Sequence, residues 1–301
     1  MKLVVVGSVA LDDVESPSGK QEGVLGGSAT YFSVSSSFFT KVHLVAVVGE
    51  DFPEKHIQFL KERGVNLEGL EVAKGGKTFR WSGVYKAGNL NEAITLDTQL
   101  NVFAKFKPKL PESYQDAELL FLANIDPELQ MEVLAQVKKP KFIACDTMNL
   151  WIENKPKELQ KLFPKIDLLM INDGEAKQLS GVDNIIRAAR EIHQMGVENL
   201  CIKRGEYGAL FFRGDEIFHV PAYPLEQIED PTGAGDTFAG GFMGSLSSFQ
   251  DLSEGTLRRA LVHGSVMASF TVEAFSLQRL RILHENEIMD RFQAFKAMTH
   301  F

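Results

Sequence analysis

The stretch EDPTGAGDTFAGGF, residues 229–242, sets one acid, Asp236, directly behind three residues with almost no side chain: Gly233, Ala234 and Gly235. Asp230-Pro231-Thr232 ahead of them favours a turn, and the segment from Asp236 onward is apolar on one face. A glycine-rich turn at a helix N-terminus aims unpaired N–H groups at one point, where the helix dipole also favours negative charge. That is an anion hole. A carboxylate beside it is electrostatically unfavourable if anion binding is the only task. It fits if the acid takes a proton from a hydroxyl while the hole holds a phosphoryl group under attack. The plainer alternative is that Asp236 helps cap the helix and the glycines serve tight packing.

Other residues could serve such a reaction. Asp12 and Asp13 close the first apolar run. In an open parallel sheet ligands collect at the carboxyl ends of strands, and an acid there can accept two hydroxyl hydrogen bonds from a polyol. A turn residue in solvent is the competing reading. Gly26 and Gly27 open a helix-like segment and either bring backbone N–H groups to a substrate or simply start the helix. NDGE, residues 172–175, reads as a helix start with Asn172 or Asp173 as cap and Glu175 as its box partner. Two motifs are decoys. KGGKT, residues 74–78, ends like a Walker A loop but has Glu71 where that loop needs its first glycine. GAG, residues 233–235, would put the third glycine of a dinucleotide fingerprint on Phe238.

The elements that position these residues follow from the apolar pattern. Runs at 2–6, 42–47, 119–122, 142–145, 168–171 and 200–203 predict strands buried on both faces. Helix-like segments lie between them, at 28–39, 52–64, 126–139 and 184–196, and the tail from Ser253 onward is helical. This alternation predicts a single α/β unit over residues 1–301 built on a doubly wound, mostly parallel sheet. Residues 13–24 and 70–103 break it. In the second, KTFRWSGVY and NEAITLDTQLN read as antiparallel strands around a Gly-Asn turn, so a small β-sheet flap is inserted in the body.

Bulk properties narrow the classes. The chain has 301 residues, 44% hydrophobic and 24% charged, as a soluble globular protein has. The net charge of −8 argues against nucleic acid as a partner, while leaving room for a local basic pocket. No run approaches the ~18 apolar residues of a membrane span. The opening MKLVVVGSVALDD is short, β-branched and closed by two aspartates, so it reads as a strand rather than a signal segment. Cys145 and Cys201 lie in strand-like runs and read as buried thiols of a reducing cytoplasm.

Together these motifs carry a resemblance. DPTGAGD resembles the C-terminal signature of the PfkB, or ribokinase-like, carbohydrate kinases, with Pro231 where the usual form has Thr. VVVGSVALD is similar to the first strand of that family, with Asp12 at the position that binds sugar hydroxyls. LGGSATYFS resembles its glycine-pair signature, INDGE its Asn-x-x-Glu motif, and IKRGEYGALFF its nucleotide-side strand–turn–strand. The flap matches its lid. The matches run in family order along nearly the whole chain.

The resemblance implies a cytoplasmic ATP-dependent kinase that transfers the γ-phosphoryl group to a hydroxyl of a sugar or sugar-like molecule, with Mg2+ and room for a monovalent cation. Asp236 would be the general base, and Gly233, Ala234 and Gly235 the anion hole. Asn172 and Glu175 would organise Mg2+ through waters. Lys203, Arg204, Gly205 and Gly208 would lie beside the nucleotide, or the two cations are simply solvated. The region around His263 borders the adenine in the family, with helix packing as the competing reading. The lid of such kinases can also join two copies, so a homodimer through the lid fits.

Two positions depart from the ribokinase pattern. Tyr31 and Ala10 stand where side-chain amides are usual, which argues against a plain ribokinase. Tyr31 adds an aromatic face and one hydroxyl to the expected substrate pocket, beside Asp12, Gly26 and Gly27. On the flap, Phe79 and Trp81 share one face, Thr78 and Arg80 the other. If the aromatics face the cleft, a nucleoside fits as substrate. If Arg80 does, a sugar acid or sugar phosphate fits. The aromatics could equally pack a dimer interface. A ligand sensor that kept the fold is the rival from outside enzymology, and it would have no chemical need for both the GAGD and NDGE sets.

Overall fold

In the first strand Leu3 and Val5 point into one apolar core and Val4 and Val6 into another, and all four are fully buried. A strand with two dry faces must lie inside a sheet covered on both sides. The computed structural model, which describes residues 1–249 and 251–299, has that arrangement. Its strands are β1 (Leu3–Val6), β2 (Ala10–Ser16), β3 (Gly19–Gly26), β4 (Val42–Gly49), β5 (Asn66–Ala73), β6 (Phe79–Lys86) and β7 (Asn89–Gln99), followed by β8 (Leu119–Leu122), β9 (Phe142–Asp146), β10 (Leu168–Asn172), β11 (Asn199–Lys203), β12 (Ala209–Arg213) and β13 (Glu216–Val220).

Nine of them form one sheet in the order β13-β12-β11-β10-β9-β8-β1-β4-β5. Pairing is parallel from β5 to β11 and antiparallel at β12 and β13. From β1 the chain winds outward through β4 and β5, then returns to β8 and winds the other way. The strand order therefore reverses between β1 and β8, which opens a crevice beyond their carboxyl ends.

The other four strands form a small sheet in the order β3-β2-β6-β7. Two expectations change here. The flap does not begin at residues 13 and 70: β2 starts at Ala10, and residues 70–73 belong to β5 at the edge of the large sheet. The flap is not wholly antiparallel either, because β2 pairs with β6 in parallel while β2–β3 and β6–β7 are antiparallel. Consecutive strands joined by tight turns must run antiparallel, but β2 and β6 are separated by β3, β4 and β5, so nothing local fixes their direction.

The helix Ala234–Ser248 packs closely on Ser28–Ser36, where Ser35 and Ser36 donate to the Thr237 and Gly240 carbonyls at 2.7 and 2.8 Å. A Cβ on Gly240 would stand 2.8 Å from that of Ser35, and one on Gly241 2.9 Å from that of Met267. These later glycines thus serve helix packing. The helical tail runs as Glu254–Thr271, Gln278–Ile282 and Glu285–Thr299, and residues 300 and 301 lie outside the described residues. No helix among the described residues is long and apolar enough to cross a membrane. Cys145 and Cys201 are buried free thiols.

Candidate active site

The crevice gathers the carboxyl ends of neighbouring strands: Asp146 ends β9, Asn172 ends β10 and Lys203 ends β11. Above them the chain turns at residues 230–233 into the helix Ala234–Ser248. Gly233 takes φ 73°, the left-handed region that an L side chain resists, and a Cβ there would run into the Tyr31 ring. No side chain caps this helix. Ala234 gives its N–H to the Pro231 carbonyl at 3.2 Å and Thr237 closes on Gly233 at 2.8 Å, which leaves the Gly235 N–H as a first-turn donor without a backbone acceptor. Of the three residues expected to form an anion hole, Ala234 therefore has its N–H already engaged. Lys203 reaches up from β11, its Nζ 3.0 Å from where a Gly235 Cβ would be. Its side chain is mostly withdrawn from solvent, 16% exposed.

Lys203 faces three carboxyls, the buried Asp146 and the half-buried Glu175 and Asp236. Its Nζ lies 3.5 Å from Asp146 Oδ2. Burial opposes its charge, but Asp146, Glu175 and Asp236 outweigh burial and raise its pKa. Burial pushes Asp236 up to about 7, with Asp146 adding to the rise and Lys203 opposing it. Burial and then Asp146 push Glu175 up to about 8. Asn172 and Glu175 form a complete capping box: Asn172 Oδ1 accepts from the Glu175 N–H and Glu175 Oε2 from the Asn172 N–H, both at 2.8 Å. The box fixes the Glu175 carboxylate at the end of β10.

At the small sheet, Asp12 of β2 is buried against the backbone of Gly26 and its Oδ1 has no partner. Burial pushes it up to about 8, against a hydrogen bond from the Gly27 backbone and with Asp230 and Asp236 adding to the rise. Tyr31 differs from the expectation. Only 1% exposed, it supports Gly233 from beneath instead of offering an aromatic face to a ligand, and its unpartnered hydroxyl lies near Asp230 and Asp12.

The small sheet closes this side. Tyr85 of β6 reaches Thr232, whose Oγ1 donates to Tyr85 Oη at 3.3 Å. That contact identifies the cleft-facing side of β6, and by strand alternation Trp81 shares it. The Trp81 ring lies flat over Gly83, where a Cβ would collide with it, and its Nε1 donates to Thr95 at 3.2 Å. Phe79 stacks on Phe103 at 5.2 Å and so fastens the sheet to the body. Thr78, expected on the Arg80 face, precedes the strand and is buried, giving its N–H and hydroxyl to Asp51 at 2.7 Å. Arg80 lies near Asp51, away from the cleft face.

At the far end, Gly205 and Gly208 flank a one-turn helix after β11, and Asn91 of β7 lies directly against Gly205. Arg204 sits over the Tyr207 ring at 5.5 Å. His263 is a packing residue, bonded to Ser245 at 2.8 Å and stacked on Phe292 at 4.3 Å.

Residues 2–282 match the family model described as pfkB family carbohydrate kinase. The chain belongs to this family. A cytidine kinase from Thermococcus kodakarensis is 31% identical over 261 residues, covering 84% of this chain and 91% of that enzyme. A nucleoside kinase from Methanocaldococcus jannaschii is 23% identical over 92% of each chain. Among solved structures, the Burkholderia thailandensis nucleoside kinase in complex with ADP-inosine superposes with TM-score 0.80 at 18% identity, over 98% of this chain and 96% of the other. An E. coli protein assigned as a ribokinase II, in complex with ATP and Mg2+, has TM-score 0.77 at 19% identity over 99% of each. The protein is accordingly a ribokinase-like ATP-dependent phosphotransferase acting on a hydroxyl of a sugar or sugar-like molecule.

Within this pfkB kinase, sequence reasoning missed four residues of the cleft. Asp146 ends a strand at the carboxyl edge of the sheet, the same signal that drew attention to Asp12. Asp230 lies inside the quoted signature and was read only as a turn former, yet it is fully buried. Tyr85 and Asn91 carried no local signal, because only the fold of the small sheet brings them over the site.

Proposed function

We propose that the acceptor is a nucleoside, with Asp12 holding ribose hydroxyls and Trp81 carrying the base. The observation behind this is register. Asp12 of β2 pairs with Trp81 of β6, so their side chains stand next to each other on one face. The hydrogen-bond acceptor for a sugar and a flat aromatic surface for a ring are thus adjacent, on the face that Tyr85 turns toward the cleft. The cytidine and nucleoside kinases among the relatives support the same reading.

In the proposed mechanism the small sheet acts as a lid over the bound acceptor and excludes water. Asp12 orients the sugar, and Asp236 takes the proton of the attacking hydroxyl. The Gly235 N–H, the helix dipole and Lys203 balance the negative charge of the transferring group. Gly205 and Gly208 border the nucleotide. Asp146, Glu175 and Asp236 gather around one lysine with their ionisation opposed by burial, and a divalent cation there would favour their charged forms. No group of three or more His, Cys, Asp or Glu among the described residues is arranged to bind an ion alone. Asn172 and Glu175 would hold Mg2+ through waters, as suits an ion that keeps several of its own. When bound, Mg2+ neutralises phosphate charge. The lid also supports a homodimer: Ile94 and Leu96 are 43% and 61% exposed on β7, the strand at one edge of the small sheet.

The test is turnover with ATP across cytidine, other nucleosides, ribose and sugar acids. Nucleosides should exceed free sugars in kcat/KM by at least about tenfold, the worth of one stacked ring. Equal or better turnover of ribose or a sugar acid overturns the nucleoside reading.

A further inference from the structure

The turn that precedes Asp236 is tied to the small sheet at three points. Ser16 Oγ at the end of β2 donates to the Glu229 carbonyl at 2.6 Å. Ser276 donates its N–H to Asp230 Oδ2 at 2.9 Å and its hydroxyl to the Leu25 carbonyl of β3 at 2.5 Å. It does so in the left-handed region at φ 54°, a strained state for serine that these two bonds hold in place. Asp230 Oδ1 in turn accepts from the Thr232 N–H at 2.8 Å, and the Thr232 hydroxyl donates to Tyr85 Oη at 3.3 Å.

The first two ties reach β2 and β3, the root of the small sheet. The third is different. Tyr85 sits one residue from the end of β6, at the hairpin that turns into β7, and that hairpin also rests Asn91 on Gly205 across the cleft. One hairpin therefore touches both the Gly205 turn and the 230–235 turn. Tyr85 only accepts in its bond with Thr232. Its hydroxyl is buried, which raises its pKa, with Asp230, Asp12 and Asp236 adding to the rise.

We propose that Tyr85 is a positioning residue for phosphoryl transfer: acting through Thr232, it locks the 230–235 turn in place only while the β6–β7 hairpin lies over the Gly205 turn. The proposal rests on the reading of Asp236 and Gly235 as the transfer site. Locking a turn that ends in the Gly235 N–H fixes the donor where charge develops, so its loss is felt in the chemical step more than in acceptor binding.

The test is a double-mutant cycle on the full chain with Tyr85→Phe, Thr232→Val and both together, plus Thr232→Ser. Each of the first two should lower kcat by roughly tenfold, the scale of one lost hydrogen bond, with acceptor KM within about twofold. The double variant should be no slower than the slower single, and Thr232→Ser should restore near wild-type kcat. Independent, multiplying effects overturn the proposal, as does a Tyr85→Phe enzyme with raised KM and unchanged kcat, which would make Tyr85 an acceptor contact. Thermal melts identify any misfolded variant. If Tyr85→Phe is one, the Thr232→Val and Thr232→Ser pair still reads the contact. Failure of the underlying site reading is distinct: Asp236→Asn would then retain turnover.

Discussion

Lys203 Nζ and Asp146 Oδ2 face each other at 3.5 Å from the ends of β11 and β9, with β10 between them. Both are mostly withdrawn from solvent, and the same lysine is the counter-charge for Glu175 and Asp236. Removing it should strand carboxylates in a dry site. Lys203→Met is expected to lose about 3–5 kcal/mol of stability at pH 8, the cost of breaking a buried pair. At pH 5 Glu175 and Asp236, pushed up to about 8 and about 7, are protonated and the loss should shrink. Urea unfolding at the two pH values checks this, and equal losses would place the lysine outside the charge balance.

Asp236→Asn should lower kcat by roughly 10²–10⁴, the usual range for a general base, with the KM for ATP nearly unchanged. Near-normal turnover would remove Asp236 from the mechanism. In the wild type Asp236 must be ionised to accept a proton, so kcat/KM, which reads the free enzyme, should rise with pH through the region of about 7 to which burial pushes this group. Steady-state rates from pH 5.5 to 8.5 read the limb.

Stability should run the other way. Burial raises Asp12 and Glu175 to about 8 and Asp236 to about 7. Unfolding returns each to an ordinary carboxyl and releases its proton. Their contribution to stability is full below the unfolded values and is lost as pH rises through the folded ones. The ligand-free protein should therefore melt at a lower temperature at pH 8 than at pH 5. Asp236→Asn should melt higher at pH 8 and show a flatter profile, as expected where function holds charge in a buried site. An identical slope in wild type and variant would contradict this.

Trp81→Ala tests the acceptor. It should raise KM for nucleosides by roughly tenfold, the worth of one stacked base, and leave turnover of any free sugar unaffected. A uniform loss across both classes would make Trp81 a structural residue of the lid.

Leu96→Glu tests the edge of the small sheet. A charge on an exposed edge strand blocks pairing with another chain. Sedimentation should show wild-type dimers and variant monomers, and two identical profiles would remove the lid from the interface.

The sequence by itself determined the large sheet and singled out the candidate chemical groups, because both rest on local signals. Continuous apolar runs can be satisfied only by burial on both faces, so the strands at 3–6, 119–122 and 168–172 were legible within a residue or two. The family motifs likewise carried Asp12, Asn172, Glu175 and Asp236 with them. What the tertiary structure decided is which groups meet. Asp146 and Lys203 lie on different strands, and their pairing follows from parallel register across β10. Tyr31 looked like a pocket aromatic but is the support for Gly233, because packing of the Ser28–Ser36 helix against Ala234–Ser248 leaves its ring nowhere else to go. The direction of β2 against β6 was not legible, since about 60 residues separate Ser16 from Phe79 and no short turn links them. That parallel pairing places Trp81 beside Asp12 and carries Tyr85 to Thr232, so the proposed acceptor side exists only once the small sheet has formed.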